Sequence, residues 1–291
     1  MSTVHVHSPR SVLQTAIADL ASLRARSRWV DTGSVRLHVL DYGGDKQPLI
    51  VIPGITSPAI TMDFVAEKLL DLVRPVIIDM RGRGLSDSAA SYTLDDYVDD
   101  TRAVIDTLGL RSPVLLGHSM GARVAALAAS RDATNIAATV LVDPPMTSGP
   151  GRGAYPVPLE SFEEQLVAAR RGLDQSEMAL TWPTWPMREL GLRARWLSSC
   201  ADQAIADTHR GFENDDFFDF WPKVRVPTVL VHGSVSPMAT EESVKEAASS
   251  NPSARIVTVA GAGHMVFWDA PTQGLSALRS ALHALGLSTA G

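Results

Sequence analysis

Gly117-His118-Ser119-Met120-Gly121 sets a serine between two glycines, directly after the apolar Val114-Leu115-Leu116 and directly before an alanine-rich helical pattern. This is the strand–turn–helix setting of a nucleophile elbow, where small flanking residues let the turn tighten and lift the hydroxyl to the carboxyl edge of a sheet. A serine hydroxyl is a poor nucleophile until a base removes its proton. In this topology the base follows the last strand, and of the eight histidines only His264, after Ala260-Gly261-Ala262-Gly263, stands there. His118 flanks the nucleophile and is expected to point elsewhere; His232 lies in a strand end, and His38 and His283 read as ordinary surface or core positions. His5 and His7 look like a metal pair, but no further ligand accompanies them.

A histidine base needs an acid to fix its tautomer and to stabilise the imidazolium. The expected place is the turn after the strand at 228–231, which reads His232-Gly233-Ser234-Val235-Ser236-Pro237 and holds no carboxylate. Glu241 and Glu242 come later, in the following helix. One strand earlier, Val140-Leu141-Val142 ends in Asp143-Pro144-Pro145, so Asp143 is assigned as the acid. Attack on a carbonyl also requires two backbone donors for the developing oxyanion. Position assigns these to the N–H of Met120, next to the nucleophile, and of Ile55, in the Pro53-Gly54-Ile55 loop after another strand. Arg81, within Asp79-Met80-Arg81-Gly82-Arg83-Gly84-Leu85-Ser86, is read as structural.

For these residues to meet, strands must deliver them to one edge of a sheet. Short β-branched runs at 35–40, 49–52, 76–79, 114–116, 139–142, 228–231 and 256–259 alternate with helical patterns at 59–70, 94–108, 120–130, 240–248 and 271–285. That alternation predicts an α/β fold with a mainly parallel sheet covered by helices on both faces. It breaks between Asp143 and Val226, a stretch with an amphipathic segment at 159–171, then Trp182, Trp185 and Trp196 close together, and no plausible strand. We read 146–222 as a helical lid inserted before the penultimate strand, over the edge where such sheets bind ligands, with Trp185 among the aromatics walling a substrate site. The core is then 29–145 and 223–291. Residues 1–28 form an extension, with a helix over 11–26 whose Val12, Ala16, Leu20 and Leu23 share one face and suit packing or self-association.

Composition narrows the function further. The 291 residues carry 26 basic and 32 acidic side chains, a formal charge of −6, which offers no broad basic surface for nucleic acid. No apolar run is long enough to cross a membrane and the first ten residues lack the apolar block of a secretory signal, so a cytoplasmic protein without membrane contact is expected. The lone Cys200 excludes internal disulfides and thiolate zinc sites. Twenty-two of the 26 basic residues are arginine, the side chain suited to carboxylate recognition.

Asp79 to Ser86, Gly117 to Gly121 and His264 together resemble the α/β-hydrolase superfamily, from about Trp29 onward. Val51 to Thr61, Gly117 to Arg123, Leu141 to Pro145 and Ser148 to Arg152 are similar, more narrowly, to the N-formylmaleamate deformylases of bacterial nicotinate degradation. The resemblance implies an acid after the strand preceding the lid, in agreement with Asp143. It also implies hydrolysis of a formyl C–N bond in a small carboxylated amide, with no metal or organic cofactor. A carboxylate losing its water needs a fixed cation. The segment from Met146 to Pro222 holds twelve acids and seven arginines, so attraction must be local. Arg152, after the Gly149-Pro150-Gly151 turn, is the expected substrate-binding residue, with Arg123, Arg193 and Arg195 next. Two other readings stay open: a related hydrolase acting on another carboxylated intermediate, either an acetamidomethylene-succinate type amidase or a C–C bond hydrolase, and a non-catalytic receptor. Dehalogenase and epoxide-hydrolase chemistry is disfavoured, because Ser119 stands where those enzymes need a carboxylate.

Overall fold

The computed structural model describes residues 12–288; the His5 and His7 pair lies outside them. Its elements in chain order are α1 (Val12–Ala21), β1 (Arg26–Asp31), β2 (Arg36–Asp41), β3 (Pro48–Ile52), α2 (Asp63–Glu67), β4 (Arg74–Ile78), α3 (Leu94–Thr107), β5 (Val114–His118), α4 (Met120–Arg131) and β6 (Ala138–Val142). Then follow α5 (Leu159–Arg170), α6 (Gln175–Thr181), α7 (Met187–Trp196), α8 (Asp202–Asn214), β7 (Thr228–Gly233), α9 (Glu241–Ser250), β8 (Arg255–Val259), α10 (Val266–Asp269) and α11 (Pro271–Ala284).

The eight strands form one sheet in the order β1-β2-β4-β3-β5-β6-β7-β8. β2 runs antiparallel to both its neighbours, and every pairing from β4 through β8 is parallel. Consecutive strand residues divide between the two faces. Ile50, Ile52, Leu115, Leu141 and Leu230 pack with Val98 and Val104 of α3 and Ala125 of α4. Leu49, Val51, Val114, Leu116 and Val140 pack on the other side with Val65 of α2 and Leu278 and Leu282 of α11. Burying each such aliphatic side chain contributes about 2 kcal/mol, and burial on both faces is why these strands read as unbroken apolar runs. α3 starts where Thr93 accepts from the Asp96 N–H while the Asp96 carboxylate accepts from the Thr93 N–H, a closed capping box.

Two local expectations differ from the structure. The helix expected over 11–26 stops at Ala21, and Arg26–Asp31 pairs with β2 as an edge strand. Only Val30 of that strand is buried, so it carries no alternation to read. The helix expected over 59–70 is a 3-10 turn, Ala59–Met62, followed by the short α2, the break falling at Met62 with ψ of 2°. Of the two positions open to His38, surface or core, it takes the core one. It is buried with Nδ1 2.7 Å from the Asp79 carboxylate and Nε2 2.9 Å from Ser27 Oγ.

Between β6 and β7 the described chain forms helices and 3-10 turns, with no strand. Phe162 and Leu166 of α5 pack with Ala204 and Ile205 of α8 in the layer that also holds α3 and α4. Trp185, Leu190 and Trp196 join the opposite layer. α1 docks on α7: Asp19 accepts from Arg195 at 2.9 Å through both carboxylate oxygens and from the Trp196 indole at 2.8 Å.

Candidate active site

Strand ends β3, β4, β5, β6 and β8 bring their following loops to one carboxyl edge, as parallel pairing requires. After β5 the chain turns through Ser119 at φ 56° and ψ −119°, a strained conformation for a side chain with a Cβ, and enters α4 at once. A Cβ on Gly117 would lie 2.1 Å from the Gly121 carbonyl oxygen, and one on Gly121 would lie 1.9 Å from that of Ile52. Both glycines are therefore dictated by backbone closeness.

After β8, Gly261 turns at φ +75° and Gly263 donates its N–H to Asp269 at 3.1 Å, which swings His264 back over the serine. His264 Nε2 lies 2.9 Å from Ser119 Oγ and Nδ1 lies 2.7 Å from Asp143 Oδ2. Asp143 is fully buried and held at φ +50°. Its Oδ1 accepts from the Gly233 N–H at 2.9 Å and its Oδ2 accepts from Ser236 Oγ at 2.5 Å. The turn after β7, which lacks a carboxylate, thus supplies hydrogen-bond donors to the carboxylate one strand over. In this geometry the imidazole can donate Nδ1–H to the acid and accept the serine proton at Nε2.

The Pro53-Gly54-Ile55 loop lies directly on the nucleophile: a Cβ on Gly54 would be 3.3 Å from Ser119 Cβ. Ile55 follows in that loop, and Met120 is the first residue of α4, where an N–H has no intrahelical acceptor. Buried charges fix the loop from behind. Arg83 donates Nε–H to the Ile55 carbonyl at 3.0 Å, and Asp79 accepts from the Ala59 and Leu85 N–H groups at 2.6 and 3.1 Å. Arg81 is bound by Asp100 on α3 at 2.7 and 2.8 Å.

His118 does not point away from the site region. Its Nε2 lies 3.0 Å from the His264 carbonyl oxygen and its ring centroid 5.3 Å from that of His264. Burial first, then the neighbouring His264, pushes its pKa down to about 4, so at neutral pH it is uncharged and donates Nε2–H to that carbonyl. Tyr155, which no sequence motif marks, is buried near Ser119, and burial raises its pKa. An isolated tyrosine in a loop carries no periodic or motif signal.

Of the two substrate-binding residues expected, Trp185 donates Nε1–H to Asp269 at 2.9 Å and stacks on Trp182 and Trp268 at 5.0 and 5.7 Å. Trp268 in turn lies 5.5 Å from His118, which links that aromatic group to the site. Arg152 is placed differently. Its guanidinium donates to Asp216 at 2.8 Å and to Glu246 at 2.7 and 2.8 Å, and lies 4.2 Å over the Phe218 ring. With two carboxylates already on it, Arg152 ties the start of the insertion to α9 and offers no free cation to a ligand. Among the described residues no group of three or more His, Cys, Asp or Glu side chains could hold a metal. A groove of about 660 Å³ near the start of α3 and along α8 includes none of Ser119, Asp143 or His264 in its lining, so its size says nothing about this site.

Residues 49–278 match the alpha/beta hydrolase family. The chain is 40% identical over 242 residues to the N-formylmaleamate deformylase of Pseudomonas putida, covering 82% of this chain and 90% of that protein. It is 29% identical over 285 residues to the 2-(acetamidomethylene)succinate hydrolase of Mesorhizobium japonicum, covering 92% and 99%. A crystal structure of the N-formylmaleamic acid deformylase of Pseudomonas putida superposes with a TM-score of 0.81 at 35% identity, covering 87% of this chain and all of that one.

Proposed function

The chain belongs to the alpha/beta hydrolase family, and from that premise we propose that it is a serine hydrolase releasing formate and maleamate from N-formylmaleamate. The observation that carries this reading is His264 bridging Ser119 Oγ at 2.9 Å and Asp143 Oδ2 at 2.7 Å. The 40% identity to a deformylase supports the choice of substrate. Ser119 Oγ attacks the formyl carbon as its proton passes to His264 Nε2. Asp143 stabilises the imidazolium, and the Ile55 and Met120 N–H groups receive the oxyanion. His264 then returns the proton to the leaving nitrogen, maleamate departs, and a formyl ester remains on Ser119. Water, deprotonated by His264, hydrolyses that ester to formate and regenerates the serine.

Purified protein incubated with N-formylmaleamate should release formate, and Ser119→Ala should not. A second reading follows from the 29% identity over nearly the whole chain to the acetamidomethylene-succinate hydrolase. Release of acetate from 2-(acetamidomethylene)succinate with no formate from N-formylmaleamate would select it. Failure of a fluorophosphonate to label Ser119 would instead favour a receptor that binds without turnover.

A further inference from the structure

Among the described residues, Arg193 of α7 is a cation without an anion. It is 7% exposed, and its donors meet only neutral acceptors: the Thr56 carbonyl at 3.5 Å, Thr56 Oγ1 at 3.2 Å and Gln165 Oε1 at 3.0 Å. Two of these contacts are long, and Nε has no acceptor at all. Trp182 and Trp185 lie near its guanidinium at 5.1 and 6.0 Å. The titratable group that acts on it is the Cys200 thiol, which burial pushes up to about 11 and so keeps neutral. Glu189, one turn earlier on the same helix, is turned to Arg188 at 2.8 Å.

Other arginines around the insertion have their counter-charges. Arg152 has Asp216 and Glu246, Arg188 has Asp63 and Glu189, and Arg195 has Asp19. Arg123, also buried, makes no ion pair and leaves Nη1 unpartnered, but it bonds the Asp215 carbonyl and has the charges of Asp215 and Asp216 nearby. A desolvated guanidinium with an idle donor is costly, because neither water nor a carboxylate replaces its hydration shell. Its place gives that cost a use. Thr56 directly follows Ile55 in the loop whose Gly54 lies against Ser119.

We infer that Arg193 receives the carboxylate of the substrate, taking it on Nε and one terminal nitrogen against the Trp182–Trp185 pair, and so restricts the site to short acyl amides that carry a carboxylate. The inference rests on the hydrolase reading above for the position of the scissile bond. A planar guanidinium and a carboxylate meet by two parallel hydrogen bonds, so one arginine fixes the orientation as well as the charge of the ligand. The carboxylate displaces the long Thr56 carbonyl contact, and the tryptophans exclude the water that would weaken the pair.

The test needs no turnover. Maleamate and its neutral isostere maleamide, in which a carboxamide replaces the carboxylate, are titrated calorimetrically into the full chain. The wild type should bind maleamate about 10- to 100-fold more tightly than maleamide, the range of a charged hydrogen bond. Arg193→Gln should bind the two alike, and Arg193→Lys should recover part of the preference, since it restores the charge without the fork. Arg152→Ala should keep the full preference. A wild type that treats both ligands alike overturns the assignment, as does an Arg193→Gln variant that still discriminates. If Arg193→Gln fails to fold, an Arg193→Lys variant with undiminished preference overturns it equally. Intact discrimination with no formate released from N-formylmaleamate would sink the reaction and leave the anion site standing; formate release without discrimination would do the reverse.

Discussion

Asp143 is held by more than the histidine it faces: the Gly233 N–H, the Ser236 hydroxyl and His264 all donate to its carboxylate. Replacing it by asparagine keeps the shape but removes the acceptor that fixes the imidazole tautomer. In the proposed reaction Asp143→Asn should lower kcat by about 10⁴-fold, the scale of a triad acid replaced by its amide. Glu241→Gln and Glu242→Gln, at the exposed start of α9, should change it little; steady-state kinetics on the three variants decides between them. His118 makes a prediction of a different kind. Its folded pKa of about 4 lies below the ordinary 6.5, so the unfolded chain binds the extra proton first. Stability is therefore complete above pH 6.5 and falls as pH drops toward 4, by about 2 to 3 kcal/mol at pH 4.5. Asp41, drawn down to about 2 despite its burial by Arg74 and Arg28, has the same sign but acts in a lower window. Urea unfolding at pH 7.5 and 4.5 should show this loss in the wild type and a smaller one in His118→Gln. Residues of this kind divide sharply in how visible they are beforehand. Ser119 and His264 are legible because a glycine-flanked turn and a position after the last strand are properties of the chain itself. Ser236, Tyr155 and the idle Arg193 Nε are not, since each is defined by what another segment brings to it. The sequence around Arg152 shows only the nearby turn, and the Asp216 and Glu246 carboxylates that hold it lie 64 and 94 residues away in sequence.

At the level of elements, α1 and α7 are joined through Asp19. The Trp196 side chain is buried and its indole N–H has Asp19 as partner, whereas the Arg195 side chain is 42% exposed. Asp19→Ala strands a buried donor and should cost about 1 to 3 kcal/mol. Arg195→Ala leaves the indole bond to Asp19 in place, breaks only an ion pair to a half-exposed guanidinium, and should cost about 1 kcal/mol or less. Thermal melts of the two variants check the ranking, and equal losses would mean that the indole bond contributes nothing. Elements buried on both faces, β3 and β5 to β7, are readable as apolar runs, and α3 announces itself through Thr93 and Asp96. β1 is not readable. Its Arg26-Ser27-Arg28-Trp29-Val30-Asp31 sequence buries one side chain, and pairing with β2 rather than any pattern of its own makes it a strand.

For the molecule as a whole, alternation of strands and helices predicts the layered parallel sheet, and the sheet order explains why distant loops share one edge. The central strands carry the serine and the acid, while the base hangs from β8 at the outer end of the sheet. Ser119 and His264 are 145 residues apart in sequence and His264 and Asp143 are 121 apart. Chains are made from the N-terminus, and their early parts begin to organise before the late parts exist. A growing chain can therefore build the strained turn at Ser119 and bury hydrophobic strands around it while lacking the group that takes the serine's proton in the proposed reaction. In the proposed reaction the hydroxyl therefore gains its base only when β8, the last strand, pairs with β7, and a chain cut short before β8 would be inert.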